Sequence, residues 1–297
     1  MKNGVIIVNK EEGLTSQGVV NRVKRIFGAS KAGHTGTLDP MATGVLPVLV
    51  ERGVKASEFM LTQDKHYIAT LLLGVTTDTE DVTGEILTQS DEIPEESAVV
   101  SVVNSFVGEY LQTPPMYSAL KIGGKKLCDL ARQGVTVERQ AREVHIYSID
   151  VSRINEREYA LDVKCSKGTY IRTLCADIGA RLGCGGTMKT LMRATASGFT
   201  LADAHTLSEF ENMSDEEKEA CIFPIEYIFR ELPAVKLPDF FAKLAHSGLE
   251  IYQKKINTDF QVGARVRLCD GNGFFALGEV MEYEQGSAIK PIRQLGE

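Results

Sequence analysis

The chain has 297 residues, enough for a large buried core and room for about two domains. Its 43% hydrophobic and 25% charged residues are the balance of an ordinary soluble protein, and no apolar run has the length of a membrane span or a secretory leader, so a cytoplasmic location is expected. The net charge of −7 argues against a uniformly basic partner for nucleic acid, but acidic residues gather at 78–85, 91–96 and 209–219 while Arg22, Lys24, Arg25, Lys31, Lys121, Lys125, Lys126, Arg132, Arg139 and Arg142 form basic groups, so RNA stays open as a partner. The six cysteines show no C-x-x-C pair and lie among apolar neighbours, which points to small buried hydrophobes in a reducing compartment.

Residues 5–8 read as a short β-rich run. Thr15 or Ser16 then caps a helix whose apolar positions Val20, Val23, Ile26 and Phe27 recur at helical spacing, with Gly28 as its stop. Its other positions carry Arg22, Lys24 and Arg25, just ahead of the stretch KAGHTGTLDPMATGVLPVLV at 31–50. Gly33, Gly36 and Gly44 make the first part of that stretch a shaped loop, and 45–50 a buried strand or core segment. Asp39 sits at the loop's centre, and Pro40 biases it toward an extended geometry that holds the carboxylate in one direction. Plain turn chemistry is the simplest reading of such a loop. A phosphate cradle fails on spacing, because Gly36 is followed by Thr37-Leu38-Asp39 rather than Lys and Ser/Thr; a metal site fails because His34 and Asp39 have no nearby third ligand.

The run 67–73, preceded by Asp64-Lys65-His66, reads as a strand, with Gly74 at its end. Thr77-Asp78-Thr79-Glu80-Asp81-Val82-Thr83-Gly84 is a polar turn that does not meet the spacing of a calcium loop. An amphipathic helix is expected over 95–107, then the rigid connector Gln112-Thr113-Pro114-Pro115-Met116-Tyr117-Ser118-Ala119-Leu120-Lys121. Strands are expected at 144–150 and 159–165, a turn at Lys167-Gly168, and a helix over 170–182 opened by Thr169. Arg172 falls in its first turn, where the helix dipole favours acids, so a partner carboxylate is expected. Ser214 and Glu217 form a capping box. Beyond the boundary at Pro233 and Pro238 come a short helix at 240–245 and strands at 264–269, 274–280 and 288–292, consistent with a small β-barrel.

Four of these segments, in this order, resemble the TruB-type tRNA pseudouridine synthases. The residues that carry the likeness are Gly33-His34-Thr35-Gly36-Thr37-Leu38-Asp39-Pro40, Lys65-His66-Tyr67, Pro114-Pro115-Met116-Tyr117-Ser118-Ala119-Leu120-Lys121, and Arg172 in Ser166–Leu174 with Leu191-Met192-Arg193. Cys128 stands where that family usually has tyrosine, and Ala194 where it commonly has threonine. The resemblance implies an α+β fold: a catalytic domain over 1–232 with a mixed, largely antiparallel sheet flanked by helices, and a PUA-like, β-barrel-like RNA-binding domain over 233–297. It implies isomerisation of uridine to pseudouridine in the T-loop of tRNA, at position 55, with Asp39 as the catalytic group. Tyr67 would stack on the flipped base, Leu191 would floor it, His34 would fill the vacated space, Arg172 would pair with Asp39, and Lys121 would contact substrate. Asp81 and Lys65 would support them. The expected partner is the T-arm of tRNA, with no cofactor, metal, membrane or obligatory protein partner. The rivals are an RNA chaperone on the same scaffold, for which a placed carboxylate is superfluous, and a glycosidase, which usually needs two placed carboxylates.

Overall fold

A computed structural model of the chain describes residues 2–296. Two strands, Gly4–Lys10 and Thr43–Val50, pair antiparallel and are buried on both sides. That is why they read as unbroken apolar runs: Ile6, Val8, Leu46, Val48 and Val50 enter one core, while Val5, Ile7, Val45 and Leu49 enter another. Around them the main sheet runs in the order Phe223–Pro224, Gly4–Lys10, Thr43–Val50, Gly186–Ala196, Lys65–Leu73, Glu158–Cys165, Arg142–Arg153, Gly108–Gln112. Its neighbours are antiparallel except Gly186–Ala196 against Thr43–Val50, which is parallel. The fold is α+β, with a mixed and largely antiparallel sheet, as expected from the sequence.

The stretch 31–50 is less of a loop than its glycines suggest. Ala32–His34 pairs with the end of Thr43–Val50, Gly33 lying opposite Leu49, so only residues 35–42 form the loop that carries Asp39. The helix Ser16–Phe27 is capped by Thr15, whose hydroxyl accepts from the Gly18 amide, and this leaves Ser16 free for another task. The helix Glu96–Asn104 is shorter than its pattern, because the chain turns after it into the edge strand Gly108–Gln112. The strand Gly186–Ala196 is central to the sheet, yet its sequence GTMKTLMRATA lacks a clean alternation, and two register shifts explain why.

The remaining strands form a second, curled sheet in the order Ala234–Lys236, Arg265–Asp270, Gly273–Met281, Ala288–Gln294, Ile251–Tyr252, covered by the helix Asp239–His246. It has its own core of Val235, Val266, Leu268, Phe275 and Ile289. Leu277 and Leu295, however, join Val5, Ile7, Phe199 and Phe229 in the core behind the main sheet. The Phe229 and Phe274 rings lie 5.8 Å apart, Arg267 Nη1 is 2.6 Å from Glu226 Oε1, and Arg293 pairs with Glu58. No helix among the described residues is long and apolar enough to cross a membrane. Because the two sheets share a core, Leu277→Ala should cost about 2–4 kcal/mol and lower a single calorimetric transition of the whole chain. Two separate transitions, with only the smaller one moved, would show that the tail folds by itself.

Candidate active site

Residues that face each other across paired strands share one side of a sheet. In the main sheet Tyr67 lies opposite Arg193, Ala69 opposite Leu191 and Lys65 opposite Cys165, which puts Lys65, Tyr67, Leu191 and Arg193 on one face. The loop 35–42 and the start of the helix Ile171–Leu182 close over that face and leave a cleft of about 1220 Å³. His34, Asp39, Lys65, Tyr67, Asp81, Arg172, Leu191 and Arg193 all line it, along with Tyr117, Ser118 and Tyr170. Such a volume exceeds the ~300–1,000 Å³ of a site for one drug-sized molecule, and is large enough for a nucleotide with part of its neighbours.

Arg172, second residue of its helix and buried, is the hub of the cleft. Its Nε lies 2.9 Å from Asp39 Oδ2 and its Nη2 3.4 Å from Asp39 Oδ1, a two-point contact that fixes the carboxylate plane. Its other donors reach the backbone oxygens of Thr79 at 3.0 Å and Tyr117 at 2.8 Å, and Nη1 is 3.8 Å from Asp81 Oδ2. The carboxylate that an arginine at a helix N-terminus requires is therefore present twice. Asp81 is itself held, its Oδ1 accepting from Thr79 Oγ1 at 2.8 Å and from the Thr83 amide at 3.0 Å. Asp39 stays 31% exposed at its side chain, facing the cleft. Burial pushes its pKa above the ordinary value, and the Arg172 guanidinium pulls in the opposite direction.

Three side chains fasten the Asp39 loop by its backbone. Ser16 Oγ accepts from the Leu38 amide at 2.8 Å and donates to the Leu38 carbonyl at 3.0 Å. Lys10, fully buried at the end of its strand, donates to the carbonyls of Ala42 at 2.5 Å, Pro40 at 3.0 Å and Glu11 at 3.0 Å. Burial lowers its pKa to about 8, with the nearby Asp39 charge opposing the fall. Arg193 donates from Nε to the Val45 carbonyl at 2.8 Å and from Nη2 to the Gly36 carbonyl at 3.2 Å. Gly44 has φ +99°, and a Cβ there would stand 2.3 Å from the Arg193 carbonyl oxygen, so the approach of loop and strand needs glycine.

His34 is half-buried, its Nδ1 has no hydrogen-bond partner among the described residues, and burial followed by the Arg193 charge lowers its pKa, which favours the neutral ring. Lys65 is buried, with its ammonium donating to the Leu61 and Gln63 carbonyls, and burial brings its pKa down to about 8. Leu191 is buried in the floor. Lys121 is placed apart: it sits exposed in the hairpin of Lys121–Ile122 with Lys125–Lys126 and is not among the lining residues, whereas Lys126, Arg132 and Arg142 are. No sequence signal marks Lys10 or Arg193 as a fastening of this loop, and Ser16, a candidate helix cap in the sequence, serves the Leu38 peptide instead. A lysine closing an apolar strand was the one available signal for Lys10, and its partners, carbonyls about thirty residues away, are not written in any spacing.

A cleft with an arginine-paired carboxylate open to it, an aromatic wall and a basic rim suits an enzyme that acts on a nucleic-acid base. Comparison with known proteins agrees. The sequence pattern of the TruB family pseudouridylate synthase N-terminal domain matches residues 24–171, and that of the tRNA pseudouridylate synthase B C-terminal domain matches residues 172–230. A protein named tRNA pseudouridine synthase B from Francisella tularensis subsp. holarctica (strain FTNF002-00 / FTA) is 42% identical over 290 residues, covering 97% of this chain and 93% of that one. Its namesake from Alkaliphilus oremlandii (strain OhILAs) is 45% identical over 250 residues, 84% of this chain and 83% of that one. Among solved structures, a Cbf5–Nop10–Gar1 complex contains a chain that superposes with a TM-score of 0.74 at 28% identity, over 99% of this chain and 85% of that chain. An H/ACA RNP bound to a substrate RNA containing 2′-deoxyuridine gives a TM-score of 0.75 at 26% identity, with 99% and 85% covered. The chain belongs to the TruB family of pseudouridine synthases.

Two outcomes follow from the electrostatics and the fastening. Titration of the Asp39 carboxyl by ¹³C NMR should give a pKa above the usual 3.8, and Arg172→Met should raise it further, because the charge that favours the ionised form is gone. A downward move in Arg172→Met would contradict the pairing. Lys10→Met should destabilise the fold by about 2–4 kcal/mol in denaturant titration, since it removes three hydrogen bonds and leaves only the Pro40 carbonyl with another donor, the Gly13 amide. A variant as stable as the wild type would mean that the loop is held by other contacts.

Proposed function

We propose that the protein isomerises uridine to pseudouridine in the T-loop of tRNA, at position 55, with Asp39 as the catalytic residue. The observation that carries the reading is the two-point Arg172 contact to a cleft carboxylate that has no other ionised partner within 4.0 Å among the described residues. The reaction breaks the C1′–N1 bond of uridine, turns the ring and joins C1′ to C5; the proton on C5 is released and N1 takes one up, so the composition of the nucleotide is unchanged. A carboxylate fixed in a partly dry cleft suits it as nucleophile or base, since its charge is little screened there. Arg172 keeps it ionised and aimed.

The base must leave its stack to reach Asp39, and the cleft supplies the replacements. Tyr67 offers an aromatic face, Leu191 an apolar floor, and the neutral His34 ring a filler for the gap left in the RNA. The basic residues Lys126, Arg132 and Arg142 on the rim, with Lys121 and Lys125 on the adjoining hairpin, would meet the phosphates of the T-arm. Residues 233–297 are assigned an accessory, PUA-like role in RNA contact, although their shared core makes them part of the same folded body. The relatives named as tRNA pseudouridine synthase B support tRNA as the substrate.

Asp39→Asn keeps size and polarity and removes the reactive oxygen. It should lower single-turnover conversion of a tRNA transcript by about 10⁴-fold or more, while the tRNA Kd stays within about tenfold. An Asp39→Asn protein, free of host enzyme, that converts uridine at near the wild-type rate would overturn the assignment.

A further inference from the structure

Arg193 is the largest fully buried side chain of the molecule, and it makes no ion pair among the described residues. A guanidinium is charged at every physiological pH, so such burial is costly unless its donors are well occupied. Its occupants are significant. Nε is bound to the Val45 carbonyl and Nη2 to the Gly36 carbonyl, one on each side of Asp39. In the sheet Arg193 stands between Tyr67 on one neighbouring strand and Gly44 on the other. One side chain thus touches both flanks of the loop bearing Asp39 and stands beside the aromatic wall. Its charge is also felt by Lys10, His34, Lys65 and Tyr67, which places it at the electrostatic centre of the floor.

We propose that Arg193 is a positioning residue for the reaction, which holds the Asp39 loop through the Gly36 and Val45 carbonyls in one fixed relation to Tyr67, its neighbour on the adjacent strand. The inference rests on the reading of Asp39 and Tyr67 as the groups that meet the uridine. Arginine is required by geometry. Its planar fork serves two acceptors in different directions, whereas a lysine ammonium lacks that fork and cannot meet both with the same geometry. A loop displaced by about 1 Å would lose about 10²-fold in rate without losing RNA affinity, because the contacts with phosphate lie on the rim.

The test uses the full chain and a tRNA transcript. Arg193→Ala should lower the single-turnover rate about 10²-fold with the tRNA Kd within about threefold, and millimolar guanidinium ion should restore at least about tenfold where equal sodium chloride does not. Arg193→Lys keeps the charge in the core and decides the matter if the alanine protein does not fold: it should stay folded, bind tRNA normally and still lose about tenfold or more in rate. An Arg193→Lys enzyme at the full rate, or a loss that lies in Kd rather than rate, overturns the inference. So does a folded Arg193→Ala protein that guanidinium does not rescue. A wild-type protein that makes no pseudouridine overturns the functional reading and this inference with it, whereas an active wild type beside a fully active Arg193→Lys overturns this inference alone.

Discussion

An anionic group inside a cleft is stable in its charged form only where a cation and hydrogen-bond donors replace the water it has lost, and this constraint shapes the molecule around Asp39. Arg172 supplies the cation directly, from the first turn of a helix whose dipole would otherwise disfavour it. The two carboxylates Asp39 and Asp81 make that position tolerable, and the backbone oxygens of Thr79 and Tyr117 occupy the remaining donors. Residues from four distant parts of the chain are therefore tied at a single guanidinium. The Pro114–Lys121 connector enters the cleft wall through the Tyr117 carbonyl, which gives its rigidity a purpose.

The loop is fixed as firmly as the carboxylate. Its carbonyls at 36, 40, 42 and 45 face Lys10 and Arg193, and its Leu38 peptide is clasped by Ser16. Side chains from two strands and one helix thus act on backbone rather than on the reactive group. This arrangement restrains direction without quenching charge, because neither Lys10 nor Arg193 takes the Asp39 oxygens that a substrate would meet. The cost is two buried cations, Lys10 and Arg193, without ion pairs of their own among the described residues, a pattern found where function sets terms that stability alone would not choose.

Much of this was legible in the sequence, for reasons that differ by element. The helices at 16–27 and 171–182 show apolar spacing and glycine stops, and the strands at 142–153 and 158–165 alternate over 144–150 and 159–165. The Asp39-Pro40 loop and the family motifs pointed to the residues that line the cleft. What was hidden depends on long-range geometry. The strand Gly186–Ala196 is irregular in register and carries a buried arginine where a periodic pattern would place an apolar residue. Lys10 binds only main-chain oxygens, which leave no trace in residue types. Lys121 was drawn toward the cleft by its motif, yet the hairpin holds it outside and brings Lys126 to the rim instead. The tail shows its own strands in sequence, but nothing there says that Leu277 and Leu295 complete the core of the main sheet.

In the proposed reaction the cleft breaks a glycosidic bond and keeps the base. The most direct measurement is the fate of a tRNA transcript labelled with tritium at C5 of uridine and incubated with the wild-type protein, with products resolved after nuclease digestion. One tritium released for each pseudouridine formed, at position 55 and with no free uracil, is the predicted result. Free uracil, or tRNA that is bound and recovered with its label intact, would contradict it.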